Sequence, residues 1–363
     1  MEITKIVITG GPCAGKTTAM SWIQNAFTQQ GYTVLFIGET ATEFIRGGVA
    51  PWTCGSNVEY QKCQMRLQLE KERLFDQAAR TMKAEKILIV CDRGLLDNKA
   101  YMTEAEFAEV LKDIGSNEVE LRDNYDAVFH LNSAAKGAEE FYTTANNVAR
   151  TEDIATAREL DDKIIAAWTG HPHLRVIDNA TEFSVKMHRL LQEISSFLGA
   201  PAPYEGIRKF LIDMPDLDYL STLPNCVRVE IIQTYLKSPN GGEFRIRQRG
   251  KDGHYIYFQK KKRVLEDGRS VSIERRLSPS EYLKLLMEAD TSVKQIRKTR
   301  YCLTYGNVYF EIDVFPFWTK KAMLKCPVRD EENQPLLLPD FINVQEEVTD
   351  NPAYMNAALA ARK

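Results

Sequence analysis

The stretch GGPCAGKT, Gly10 to Thr17, lies between the apolar run KIVITG at 5–10 and a helical pattern at about 16–30. This order constrains the chain more than any other feature, because a buried strand must swing into a helix within a few residues. Gly10 and Gly15 supply the backbone freedom for that swing. A loop of this kind turns successive N–H groups toward one point, and the helix N-terminus adds partial positive charge there. The spacing G-x-x-x-x-G-K-[ST] places Lys16 to reach the β- and γ-phosphates of a nucleotide and the Thr17 hydroxyl to ligate Mg2+. Gly10, Gly11, Pro12, Cys13, Ala14, Gly15, Lys16, Thr17 and Thr18 are the expected nucleotide contacts.

Further strand candidates are TVLFIGE (33–39), KILIVCD (86–92), AVFHLN (127–132) and LRVIDN (174–179), with helical patterns at about 57–83, 103–114, 153–169 and 181–198. Near-continuous Val/Ile/Leu strands alternating with helices predict an α/β domain on a parallel sheet, with ligands at the carboxyl ends of the strands. Asp92 stands at such an end, where a carboxylate holds Mg2+ or accepts the proton of an attacking hydroxyl. Arg93 follows it, and Asp97 suits either a site role or a helix cap. Glu39, ending the second strand, is a candidate for Mg2+ or the acceptor hydroxyl. Arg150 and Arg158 are candidate lid arginines that clamp a transferring phosphate, or else salt-bridge partners on a solvated helix. The absence of an NKxD motif leaves ATP and GTP both open.

LGAPAPYEG (198–206) breaks this pattern and predicts a boundary between domains at 1–200 and 205–363. Beyond it the periodicity changes to two, in GIRKFLI, VRVEIIQTYL, EFRIRQRG, HYIYFQKKK, SVSIERRL, VKQIRKTRYCLTYG and VYFEIDVF. The turn signals NGG, DG and EDG, with one helical pattern at about 279–289, predict an α+β domain around an antiparallel barrel or strongly curled sheet. FRIRQRG puts Arg245, Arg247 and Arg249 at every second position, on one face of a strand, unless a bulge near the turn sends Arg249 outward. Lys209, Lys260, Arg275, Lys298 and Arg300 add cations from other strands. Such a set suits a phosphate chain, each oxygen wanting a charge-assisted donor worth roughly 1.5–3 kcal/mol.

The 363 residues suit two domains, and 44% hydrophobic with 27% charged residues is the balance of a soluble globular protein. No run of 18 apolar residues and no signal-peptide pattern is present, which predicts a soluble, cytoplasmic protein. Seven cysteines without a CxxC spacing suit a reducing compartment and argue against disulfides or a structural metal. The net charge of −3 conceals an asymmetry: 21 Lys+Arg against 28 Asp+Glu up to residue 204, then 26 against 22. The basic second part suits an anionic ligand; no nucleic acid is expected.

Through GGPCAGKT and the DR pair of DRGLLDNKAY, residues 3–198 resemble the AAA-like ATP/GTP-binding P-loop family, close to nicotinamide riboside kinase and thymidylate kinase domains. Residues 205–356 resemble a CYTH domain, the triphosphate tunnel fold, through EGIRKFLI, QTYL, FRIRQRG, KTRY, FEIDVF and EEVTDNPAYMNAALA. That resemblance implies a tunnel lined by Glu205, Lys209, Arg245, Arg247, Lys260, Glu274, Lys298, Arg300, Glu311 and Asp313. Catalytic tunnel members begin with Glu-x-Glu-x-Lys, whereas this chain has Glu205-Gly206-Ile207-Arg208-Lys209. Their late Glu-x-Glu strand becomes LKCPV, with Cys326 and Val328 in the carboxylate places. Hydrolysis in this fold needs carboxylates that hold divalent metal, so phosphate binding is expected to outlast hydrolysis. Glu230, Glu274, Glu311 and Asp313 remain for residual metal binding.

The fused layout resembles plant tunnel proteins with a uridine-kinase-like domain and, more closely, the family of the insect photoreceptor translocation-defect protein, which binds GTP and phosphoinositides. The resemblance implies a Mg-ATP- or Mg-GTP-binding phosphotransferase or NTPase. Its second domain would take a phosphorylated small molecule: a nucleotide, a polyphosphate or a phosphoinositide headgroup, the last bringing peripheral membrane contact. Two alternatives are a tunnel-type triphosphate or pyrophosphate hydrolase with a regulatory P-loop, and a non-catalytic adaptor switched by nucleotide.

Overall fold

The computed structural model describes residues 1–142, 153–199, 207–237, 243–264, 270–327, 337–349 and 351–361. The chain divides into two compact units, Met1–Ile194 and Ser195–Lys363. Among the described residues no helix is long and apolar enough to cross a membrane.

In the first unit the elements run β1 (Glu2–Thr9), α1 (Lys16–Gln29), β2 (Thr33–Ile37), α2 (Thr40–Arg46), α3 (Asn57–Thr81), β3 (Lys86–Asp92), α4 (Glu104–Ile114), α5 (Glu118–Arg122), β4 (Ala127–Leu131), α6 (Ile154–Trp168), β5 (Leu174–Ile177) and α7 (Phe183–Phe197). The sheet has the order β2-β3-β1-β4-β5, and every pairing is parallel. Covered on both faces, its central strands are apolar throughout: Ile6, Val7 and Ile8 of β1 and Ile87 to Val90 of β3 are fully buried. Helix α1 buries Ala19, Ile23 and Phe27, four residues apart and hence on one face. Beyond the expected pattern are α2, α5 and a 3-10 segment at Leu95–Tyr101. These are short, and the 3-10 segment is fixed by Asp97, which accepts from Gly94 N (2.7 Å) and Trp168 Nε1 (3.3 Å). Asp97 is thus a buried cap.

The second unit is one nine-stranded sheet, of order β10-β9-β8-β7-β11-β12-β13-β6-β14. In chain order its elements are β6 (Ile207–Asp213), α8 (Leu217–Thr222), β7 (Cys226–Tyr235), β8 (Glu243–Lys251), β9 (His254–Val264), β10 (Ser270–Leu277), α9 (Pro279–Leu286), β11 (Ile296–Tyr305), β12 (Val308–Val314), β13 (Lys321–Pro327), β14 (Val344–Glu347) and α10 (Asn356–Ala361). All pairings are antiparallel. The sheet curls strongly: Leu211 of β6 and Tyr235 of β7, three strands apart, share one apolar cluster with Ile296, Phe315, Met323 and Leu359. That cluster lies on the concave face. The convex face buries Phe210, Ile212, Leu303, Phe310, Ile312 and Leu324 under Leu220 of α8 and Ile342. Alternation by two therefore sorts each strand into an apolar outer set and an inner set that carries the charges.

Candidate functional site

Parallel pairing brings three strand ends together. Ile8 of β1 is opposite Asp92 of β3, and Ile37 of β2 is opposite Cys91. The loop after β1, Asp92, and Glu39 just past β2 consequently share one edge of the sheet. Gly10 (φ 140°), Cys13 (φ 56°) and Gly15 (φ 90°) give the loop its curl. A side chain at Gly10 would place Cβ 2.0 Å from the Leu131 carbonyl oxygen. Gly10→Ala is expected to distort the loop and weaken nucleotide binding by tenfold or more, measured by titration calorimetry, because no flexible group yields there.

Lys16 Nζ donates to the Gly10 and Gly11 carbonyls at 3.2 and 3.3 Å, and Thr17 is exposed at the first turn of α1. Burial and Arg93 lower the Lys16 pKa against the pull of Asp92 and Glu39. Asp92 Oδ1 is buried and has no hydrogen-bond partner among the described residues. Burial raises its pKa, with Lys16 opposing and Glu39 reinforcing. Arg93, in the left-handed region at φ 67°, donates from Nε to Glu39 Oε1 (2.5 Å) and from Nη1 to Asp97 Oδ1 (3.3 Å). Thr42 Oγ1 holds the other Glu39 oxygen at 2.7 Å. Burial alone would raise Glu39, but Arg93 and Lys16 bring it down to about 2. Carboxylates unequal in pKa, beside a lysine, form a site for transferring charge.

The loop is also held from behind. Gly11 N donates to Asp161 Oδ1 (2.7 Å) on α6, and Asp161 is fully buried, with Lys136 Nζ 2.8 Å from its other oxygen. Lys186 of α7, also buried, donates to the Ala14 carbonyl (3.1 Å) and to Asn179 Oδ1 (2.7 Å).

On the concave face of the second unit, the unbroken β7–β8 register aligns Arg245, Arg247 and Arg249 with Tyr235, Gln233 and Ile231. Arg249 is 1% exposed. Arg247 Nη2 donates to Glu274 Oε1 (2.7 Å), and Arg245 Nη1 to Glu243 Oε1 (2.5 Å). Asp313, fully buried, accepts from Lys298 Nζ, Arg300 Nε and Lys325 Nζ, each at 2.7 Å. Arg300 also pairs with Glu311. Burial, with Lys325 and Arg300 nearby, pushes Lys298 well below its ordinary pKa despite Asp313.

Residues 5–186 match a protein family described as an AAA domain, a span of half the 363-residue chain. The chain belongs to this AAA domain family. No curated protein matches it. Among solved structures it is similar to the inorganic triphosphatase NE1496, with 26% identity over 43% of this chain and 97% of that one and a TM-score of 0.32. It is also similar to the PH1012 protein from Pyrococcus horikoshii OT3, with 12% identity over 35% of this chain and 80% of that one and a TM-score of 0.25.

In the AAA domain the candidate residues Lys16, Thr17, Glu39, Asp92 and Arg93 lie together. Arg158 is on α6, donating to the Ala135 carbonyl and to Glu139 Oε1 (2.5 Å), so it ties down the 135–139 segment. Arg150 lies outside the described residues, as do Glu205 and Val328. Asp161 and Lys186 were not singled out: ELDD and VKMH read as ordinary helix surface, and only the packing of α6 and α7 behind the loop reveals their use.

In the second unit the register corrects three expectations. Arg249 faces inward, because no bulge interrupts β7–β8. Arg275 faces outward to Gln259 and Glu281 of α9, while Arg276, opposite Phe258, takes the inner face. Cys326 belongs to the outer apolar cluster, and the inner β13 positions are Met323 and Lys325, opposite Leu211 and Lys209. Glu230 is turned outward to Arg228 (2.8 Å) and Tyr255 (2.8 Å), away from Asp313. Lys260 faces Arg245 on one side and Glu274 on the other, as the alternation requires.

Proposed function

We propose that the AAA domain binds a magnesium nucleoside triphosphate, ATP or GTP, and passes its γ-phosphoryl group to an acceptor hydroxyl. The observation that supports this best is the buried Asp92 oxygen without a partner, beside Lys16 and Glu39. A buried carboxylate left unsatisfied is costly and is retained where chemistry uses it. In this reading the acceptor oxygen bonds to the γ-phosphorus as the bond to the β-phosphate oxygen breaks. Asp92 takes the hydroxyl proton, and the nucleoside diphosphate leaves with the bonding electrons. Lys16 and the loop amides stabilise charge on the phosphates, while Glu39, fixed by Arg93 and Thr42, orients the acceptor. Thr17 and Asp92 fit Mg2+, one by its exposed hydroxyl and the other by its unpartnered oxygen; when bound, the ion neutralises phosphate charge.

The reading divides the work between a domain at 1–200 and a cytoplasmic phosphate receptor at 205–363, where inward cations hold a phosphorylated ligand such as a polyphosphate or phosphoinositide headgroup. Kinship with the insect translocation-defect family belongs to the same proposal. Turnover of Mg-ATP and Mg-GTP by the full chain tests it. Lys16→Ala is expected to weaken nucleotide binding about a hundredfold and to abolish turnover, since it removes charge-assisted donors worth about 1.5–3 kcal/mol each. Turnover that survives in Lys16→Ala would sink the proposal.

A further inference from the structure

Divalent-metal chemistry on a phosphate chain needs several carboxylate oxygens able to turn toward the ion. On the concave face of the second unit the described carboxylates are already engaged by cations. Asp313 accepts from Lys298, Arg300 and Lys325. Glu311 pairs with Arg300, and Glu274 with Arg247. The adjoining strands β6 and β13 turn Lys209, Leu211, Met323 and Lys325 to this face, so they bring further cations and no carboxylate among those positions. Among the described residues, no group of three or more His, Cys, Asp or Glu side chains is placed to hold a metal ion. This donor set does not fit a divalent cation. It does fit an oxyanion.

We infer that the concave face binds a phosphorylated anion directly through its lysine and arginine side chains, with no divalent cation between them. The inference rests on the phosphate-binding reading of the second unit given above. A phosphate oxygen enters this cluster as one more acceptor for donors that now share few carboxylates. An incoming Mg2+ would instead have to pull ammonium and guanidinium groups off Asp313 and Glu311 and then sit among them, like charges in a poorly solvated place. The crowding already shows: burial, Arg249, Arg245 and Arg300 hold Arg247 below its ordinary pKa although Glu274 opposes them. An added anion relieves that repulsion.

Titration calorimetry on the full chain, with tripolyphosphate and separately with inositol trisphosphate, each in EDTA and in Mg2+, tests the inference. The parent is Lys16→Ala, which removes the contribution of the AAA domain. The comparison adds Lys325→Met, which keeps the apolar stem and leaves Asp313 with Lys298 and Arg300; an unchanged melting curve verifies the fold. In EDTA the parent is expected to bind at least one ligand, no more weakly than in Mg2+, and Lys325→Met to bind it about tenfold more weakly. The tighter ligand decides whether the anion is a free phosphate chain or a lipid headgroup. Binding that requires Mg2+ and is lost in Lys325→Met overturns the inference and leaves the phosphate-binding reading standing. Identical behaviour of the two proteins under both conditions, absence of binding included, overturns both.

Discussion

Asp92→Asn is expected to lower turnover of Mg-nucleotide by about 10²- to 10⁴-fold, the usual contribution of a positioned acid–base group. Nucleotide affinity in EDTA should hardly change, because Lys16 and the loop amides stay in place. The same substitution should leave melting temperature unchanged or higher. Burial raises the Asp92 pKa, so the native state works against its charge, and Asn removes that charge at nearly constant shape. Lost turnover together with retained or improved stability separates a residue kept for chemistry from one kept for folding. Unaltered turnover would remove Asp92 from the reaction.

In the second unit the largest effect is expected at Asp313. Asp313→Ala strands Lys298, Arg300 and Lys325 in the interior with Glu311 as the main remaining counter-ion, and breaking a buried ion cluster this way costs about 3–5 kcal/mol. Urea denaturation followed by fluorescence should show the second unit unfolding at clearly lower urea. A loss below about 1 kcal/mol would mean that water, not Asp313, carries those charges. The pH dependence has a definite sign. Burial would raise Asp313, but Arg300, Lys298 and Lys325 hold it well below the ordinary 3.8. Its stabilisation is therefore complete above that value and is lost only as pH falls through the lower folded value.

Legibility in the sequence followed how local each determinant is. The glycine loop, its lysine and the strand-terminal Asp92 are set by neighbours within a few positions, and period-two spacing sufficed to align Arg245, Arg247 and Arg249. Arg275 against Arg276, and Lys325 against Cys326, could not be decided that way. Adjacent residues occupy opposite faces, and which face is inner depends on a pairing partner: Lys260 opposite Glu274, or Lys209 opposite Lys325. The short elements α2, α5 and α8 span too few turns to show a helical period. Asp161 was the hardest to foresee, because its role depends on the Gly11 amide, 150 positions away along the chain.

That contact makes the loop's shape and the seating of α6 a single thermodynamic variable. The Gly11 amide cannot serve a phosphate oxygen fully while Asp161 occupies it at 2.7 Å. Whatever shifts α6 changes how many amides the loop can offer and hence how tightly it holds an anion. Reciprocity then requires the converse: a phosphate bound in the loop biases where α6 rests, by the same free energy.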